Sequence, residues 1–187
     1  MNVIIFGPPG AGKGTQSHII VKKFNLYQIS TGDLLRNEVK NQTDLGKDIE
    51  KIISKGDFAT DEIVNELIKN VISDPQKKNR LIFDGYPRSL SQAKNLDTLL
   101  RNSNQEVDYI FFLNVKKDTI IKRIEIRKLR EKRSDDNLNT ILKRYDTYME
   151  TTRPVLDFYS KNSNFYEIDG GEEIQVISSK IEQILSV

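Results

Sequence analysis

Residues 3–15 read Val3-Ile4-Ile5-Phe6-Gly7-Pro8-Pro9-Gly10-Ala11-Gly12-Lys13-Gly14-Thr15. The opening apolar run is too short for a helix and is cut off by glycine and proline, so it reads as a buried strand ending in a loop. After Thr15, apolar residues at Ile19, Ile20 and Phe24 fall at helical spacing. A glycine-rich turn between strand and helix lets backbone N–H groups curl around phosphate oxygens, and the helix N-terminus adds its own unpaired N–H groups and dipole. Gly7, Gly12 and Lys13 fit the phosphate-loop pattern. One departure stands out: that pattern has Ser or Thr directly after the lysine, and here Gly14 intervenes before Thr15. Gly10, Ala11, Gly12, Lys13, Gly14 and Thr15 are the candidate cradle, with Lys13 bridging the terminal phosphates.

Working outward, Leu26–Ile29, Leu81–Phe83, Tyr109–Val115 and Phe165–Ile168 repeat the short apolar run followed by polar or glycine residues. Continuous apolar runs suit parallel strands covered on both faces. Helical patterns lie between them, including Ile63–Ile72 and Ile174–Leu185. Five alternations of strand and helix predict an α/β fold whose ligands bind outside the carboxyl ends of the strands. Between the second and third strands a simple crossover needs one helix. Here there are patterns at Asp33–Lys40, at Leu45–Ser54 and from Asp61 onward, and the surplus predicts an inserted subdomain over residues 30–59. Asp74-Pro75-Gln76 reads as a helix stop.

The chain has 187 residues and a net charge of +2, so it is one domain with no global field suited to nucleic acid or a membrane surface. It contains no cysteine, which excludes disulfides, thiolate chemistry and cysteine-ligated zinc. Its single histidine, His18, argues against a histidine-based triad and is expected on a helix surface. No apolar run is long enough to span a membrane, and no secretory pattern opens the chain; a cytoplasmic protein is expected. Asp84 follows the run Leu81–Phe83, where a carboxylate at a strand end beside a phosphate loop meets a magnesium shell.

Three phrases point one way together: Gly7 to Thr15, Ser30-Thr31-Gly32-Asp33-Leu34-Leu35-Arg36, and Phe83-Asp84-Gly85-Tyr86-Pro87-Arg88 with Gln92. The chain resembles adenylate kinase, of the nucleoside monophosphate kinases, over essentially its whole length. The resemblance implies a P-loop NTPase-type three-layer fold around a five-stranded parallel sheet, residues 30–59 as an AMP-binding subdomain, and a mobile lid. It implies the reaction of MgATP with AMP to give two ADP, with Mg2+ arriving with ATP. The acceptor is a phosphate monoester, largely dianionic at neutral pH, so no base is needed. Charge neutralisation and positioning are the task, and arginine forks suit it.

By the same resemblance, Arg36 and Arg88 hold the AMP phosphate, Thr31, Gly85 and Gln92 surround the AMP base, and Tyr86 and Pro87 belong to the AMP-binding set. A Gln amide offers that base one donor and one acceptor. Backbone at Asp57, Phe58 and Ala59 closes over the nucleoside, with Ala59 where the family more often has Val. Arg123 and Arg127 contact ATP, Arg133 and Arg144 reach the transferring phosphoryl group, and backbone at Glu172 borders the ATP base. Asp84 and Thr15 form the Mg2+ shell, through water. Residues 116–133 carry nine positive and three negative charges. They contain no aromatic residue to stack nucleobases, which weighs against single-strand binding. The resemblance makes this the hinge and a short lid over 126–136, with no zinc module. A monomer is expected. The alternatives are a UMP/CMP kinase, against which Gln92 argues, and a non-catalytic nucleotide-binding protein of the same fold.

Overall fold

The structure, a computed structural model, describes residues 1–54, 57, 59–131 and 138–186. Strands β1 (Asn2–Phe6), β2 (Tyr27–Ser30), β3 (Leu81–Asp84), β4 (Tyr109–Asn114) and β5 (Phe165–Asp169) form one sheet in the order β2-β3-β1-β4-β5, with every pair parallel. The α/β fold with a five-stranded parallel core is therefore present. β1 lies at the centre, in register with Leu81–Asp84 on one side and Tyr109–Phe112 on the other. The period of two decides which face each side chain joins. Ile4, Phe6, Leu81 and Phe83 enter one buried cluster, while Val3, Ile5, Ile82 and Phe111 enter the other.

Helices cover both faces. α1 (Lys13–Phe24) and α9 (Ile174–Leu185) pack on the second cluster through Ile20, Ile177 and Ile181. α4 (Asp61–Ile72) and α5 (Leu90–Asn102) pack on the first through Val64, Ile68, Leu96 and Leu100. α2 (Thr31–Lys40) and α3 (Asp44–Ile53) are the surplus helices between β2 and α4. Ser30 Oγ caps α2 by accepting from Asp33 N–H at 3.2 Å, so the chain turns from strand to helix without a loop. α2 and α3 meet closely at Gly46, where a Cβ would lie 2.1 Å from the Glu38 carbonyl oxygen. The helix stop at Asp74 is a cap: its carboxylate accepts from Gln76 N–H at 3.0 Å and starts a short 3-10 turn at Pro75.

After β4 run α6 (Lys117–Glu131), α7 (Leu138–Thr147), a π-turn over Tyr148–Thr152 and α8 (Arg153–Tyr159). None of the described helices is long and apolar enough to cross a membrane.

Candidate active site

The carboxyl ends of β1, β3 and β4 open on the loop 7–12. Gly10 and Gly12 have φ of 81° and 98°, values that a side chain resists, and they let the loop turn back toward α1. A Cβ on Gly10 would also lie 2.9 Å from Ile124 Cγ1 on α6, so loop and helix are in close contact there. Lys13 opens α1 and folds back over this loop, donating to the Gly7 carbonyl at 2.7 Å and the Pro8 carbonyl at 3.1 Å. Thr15 is exposed one turn into α1, and His18 is exposed further on.

Asp84 is 9% exposed at the end of β3. Its Oδ2 accepts from Gln28 Nε2 at 3.0 Å and lies 3.5 Å from where a Cβ on Gly14 would stand. Burial raises its pKa against the opposing pull of Lys13, Gln28 and Arg88. Burial likewise brings the Lys13 ammonium down to about 8; Asp84 works against that shift, and Arg88, Arg144 and Arg127 add to it. Arg88 falls to about 10, first through burial and then through Arg144 beside it, which leaves it charged at neutral pH. Several cations are thus held around one carboxylate, an arrangement that a polyanion would neutralise.

Two cavities meet here. Ile5, Gly7, Pro9, Lys13, Gly85 and Pro87 line the first, together with Arg88, Arg144, Tyr148 and Thr152. Gly32, Leu35, Arg36, Ile53, Asp57 and Ala59 line the second, again with Arg88 and Arg144. Arg88 and Arg144 therefore stand on both. Arg36 is held by Asp33 at 2.5 Å, and Asp57 pairs with Lys143 at 2.8 Å.

Around Gly85 the chain is tied by side chains. Thr31 Oγ1 donates to the Gly85 carbonyl at 2.9 Å, and Arg88 Nε donates to the same oxygen at 2.7 Å. The Tyr86 hydroxyl is buried and donates to Asn65 Oδ1 at 2.8 Å. Gln92 is 3% exposed and is not among the residues lining either cavity; it is bonded to Arg88, which lines both, its Oε1 accepting from the Arg88 N–H at 2.7 Å. Arg123 of α6 bridges two backbone segments, donating to the Ala11 carbonyl at 3.2 Å and the Glu172 carbonyl at 3.4 Å. The Glu172 carboxylate is turned to Lys180 at 2.5 Å, so this residue meets the cleft through its backbone. Arg133 and Phe58 lie outside the described residues, as does the part of the expected lid beyond Glu131.

Sequence reasoning missed Gln28, Asp61, Tyr148 and Thr152. Gln28 carried a signal, being a polar residue inside an otherwise apolar strand. Thr152 Oγ1 donates to the Arg88 carbonyl at 3.1 Å from the π-turn. Tyr148 reads as packing from its spacing, yet its buried hydroxyl has no hydrogen-bond partner among the described residues and its side chain lines the first cavity.

A family model described as adenylate kinase matches residues 5–164. An adenylate kinase of Pelagibacter ubique is 52% identical over 213 residues, spanning all of both chains. Another, from Parabacteroides distasonis, is 40% identical over 186 residues, covering all of this chain and 98% of its own. A third, from Thermosipho africanus, is 32% identical over 214 residues, covering all of this chain and 99% of its own. The first and third alignments are longer than this chain of 187 residues, so those relatives carry residues that it lacks.

Proposed function

The chain belongs to the adenylate kinase family and is an enzyme that transfers a phosphoryl group between ATP and AMP, and on that premise we propose how its residues divide the work. ATP lies along the loop Gly10 to Thr15, with Lys13 released from the Gly7 and Pro8 carbonyls to the terminal phosphates. Arg123 and Arg127 flank it, and backbone at Glu172 borders its base. AMP occupies the second cavity, its phosphate held by Arg36 and Arg88. Its nucleoside lies against Thr31, Asp57, Phe58, Ala59, Gly85, Tyr86 and Pro87, and Gln92 reads the base. Arg88 and Arg144, joined by Arg133, stabilise the phosphoryl group in flight.

The observation that carries this reading is that Arg88 and Arg144 line both cavities, the one holding Lys13 and the one holding Arg36. An AMP phosphate oxygen in the second cavity faces the γ-phosphorus in the first. Its bond forms as the bond to the departing ADP oxygen breaks. No proton has to be removed from a dianionic acceptor, which agrees with a site made of cations rather than bases. Charge spread over the equatorial oxygens meets arginine forks already in place.

Buried Asp84, braced by Gln28 and adjoining Gly14, fits a cation shell, and with Thr15 it would hold Mg2+ through water. Bound there with ATP, the ion would neutralise phosphate charge. Residues 30–59 form the subdomain that closes over AMP, and 126–136 form the lid that keeps water from taking the phosphoryl group. One chain supplies both cavities, which supports a monomer, and cytoplasmic action is the reading that goes with it.

The test is a coupled ADP-formation assay with MgATP against AMP, UMP, CMP, GMP and no acceptor. Rapid turnover with AMP alone is expected. Equal turnover with UMP or CMP would overturn the reading of Gln92 and keep the clamp. No turnover from folded protein that binds ATP would overturn the catalytic reading.

A further inference from the structure

We infer that Asp61 is a specificity-determining residue that locks the Gln92 amide in one orientation, so that it matches a 6-aminopurine and opposes a 6-oxopurine. This rests on the reading of Gln92 as the contact to the acceptor base. Asp61 opens α4, where the chain returns from α2 and α3 to the sheet, with Thr60 as the cap position. Its Oδ1 accepts from Gln92 Nε2 at 2.7 Å and its Oδ2 accepts from Ser89 Oγ at 2.8 Å. Ser89 is itself the cap of α5, accepting from Gln92 N–H at 3.1 Å. One carboxylate thus holds both the start of α5 and the side chain one turn along it.

A glutamine amide has an oxygen end and a nitrogen end of nearly the same shape, and only its partners choose between them. Here both choices are forced. A carboxylate only accepts, and the Arg88 backbone N–H only donates. Flipping the amide would set oxygen against the Asp61 carboxylate and N–H against the Arg88 N–H. At 3% exposure, water cannot make up the two lost bonds.

Each end of the amide keeps a second valence, one lone pair on Oε1 and one hydrogen on Nε2. Adenine presents a donor at N6 and an acceptor at N1, and hypoxanthine presents an acceptor at O6 and a donor at N1. A freely flipping amide serves both bases equally. A fixed one serves the first and meets the second with like facing like, which a buried site penalises more strongly than a missing contact.

The experiment compares kcat/KM for AMP and for IMP, with MgATP as donor, in the natural chain and in Asp61→Ala, Asp61→Glu and Gln92→Leu. Asp61→Ala, which removes the acceptor, should lower the AMP-to-IMP ratio about tenfold, the worth of one charged hydrogen bond. KM for MgATP should stay within about twofold, since the side-chain bonds of Asp61 go to Ser89 and Gln92. Asp61→Glu, which keeps the carboxylate, should restore most of the ratio, whereas a merely structural Asp61 would move both substrates together. An unchanged ratio in Asp61→Ala, with a fallen ratio in Gln92→Leu, overturns the lock and keeps Gln92 as the base contact. An unchanged ratio in Gln92→Leu removes the base contact and the lock with it, while ADP formation from AMP stands. Should Asp61→Ala not fold, the Gln92 side-chain NH2 of the unaltered chain decides the question. Slow hydrogen exchange of that group in the unliganded protein is expected, and exchange at the rate of an exposed amide overturns the lock.

Discussion

At the phosphate loop the geometry is set by backbone: Gly10 and Gly12 at positive φ, carbonyls of Gly7 and Pro8 under Lys13, and carbonyls of Ala11 and Glu172 under Arg123. Around Gly85 and Arg88 it is set largely by side chains: Thr31, Gln92, Asp61, Ser89 and Thr152 each make a directed bond. The difference teaches where selectivity resides. A cradle of N–H groups and one ammonium reads phosphate charge and tolerates many side-chain changes. A pocket braced by side chains reads one acceptor, and single substitutions can retune it.

On the proposed division of work, removing the Lys13 ammonium should have the largest effect. Lys13→Met is expected to lower kcat about a thousandfold, the upper range for a single electrostatic stabiliser, in steady-state ADP formation. Near-normal turnover would move Lys13 out of the mechanism. Next, a side chain placed where the loop admits none should hurt the donor half alone. Gly10→Ala must hold φ near 81° and press on Ile124, so KM for MgATP should rise about tenfold with KM for AMP unchanged. Arg36→Ala should do the reverse, raising KM for AMP about tenfold and leaving MgATP unchanged, because Arg36 lines only the second cavity. If either variant moved both constants equally, the two halves would not be separable.

The smallest effect is a fraction of a proton. With Lys13 brought from 10.5 to about 8 by burial, the unfolded chain keeps a proton that the folded chain has released between those pH values. Folding stability therefore rises with pH across that window, and the cost of the buried ammonium is fully present below it, on the order of 3 kcal/mol at most. Unliganded Lys13→Met should be more stable than the natural chain at pH 7, with the gap narrowing above pH 8 in denaturant titrations. Polyphosphate reverses the shift, so ATP binding at pH 8 should take up roughly half a proton, read by calorimetry in buffers of different ionisation enthalpy.

The same division explains what was legible. The strand Val3–Phe6, the helix Ile174–Leu185 and the cradle Gly10–Thr15 depend on local pattern, and the structure has β1 at Asn2–Phe6 and α9 at Ile174–Leu185. Arg36 and Arg88 could be found because their motifs are contiguous in the chain. Asp61 could not, because its partners Ser89 and Gln92 come from α5 and only the packing of α4 against α5 brings the three together. Gln28 meets Asp84 only because β2 lies beside β3, a pairing that neither strand's sequence states. The second strand also begins and ends one residue later than its apolar run, at Tyr27–Ser30, because Ser30 serves as both strand end and helix cap.

On the proposed assignment, Arg88 and Arg144 serve the transfer between the two cavities more than they serve either ligand. The direct measurement is Arg144→Ala, with the dissociation constants of AMP and of ATP each taken alone, followed by single-turnover ADP formation at saturation. A rate at least about 100-fold lower is expected, with each affinity changed by less than about tenfold. A rate that recovers fully at saturating AMP, with the whole loss lying in AMP affinity, would contradict it.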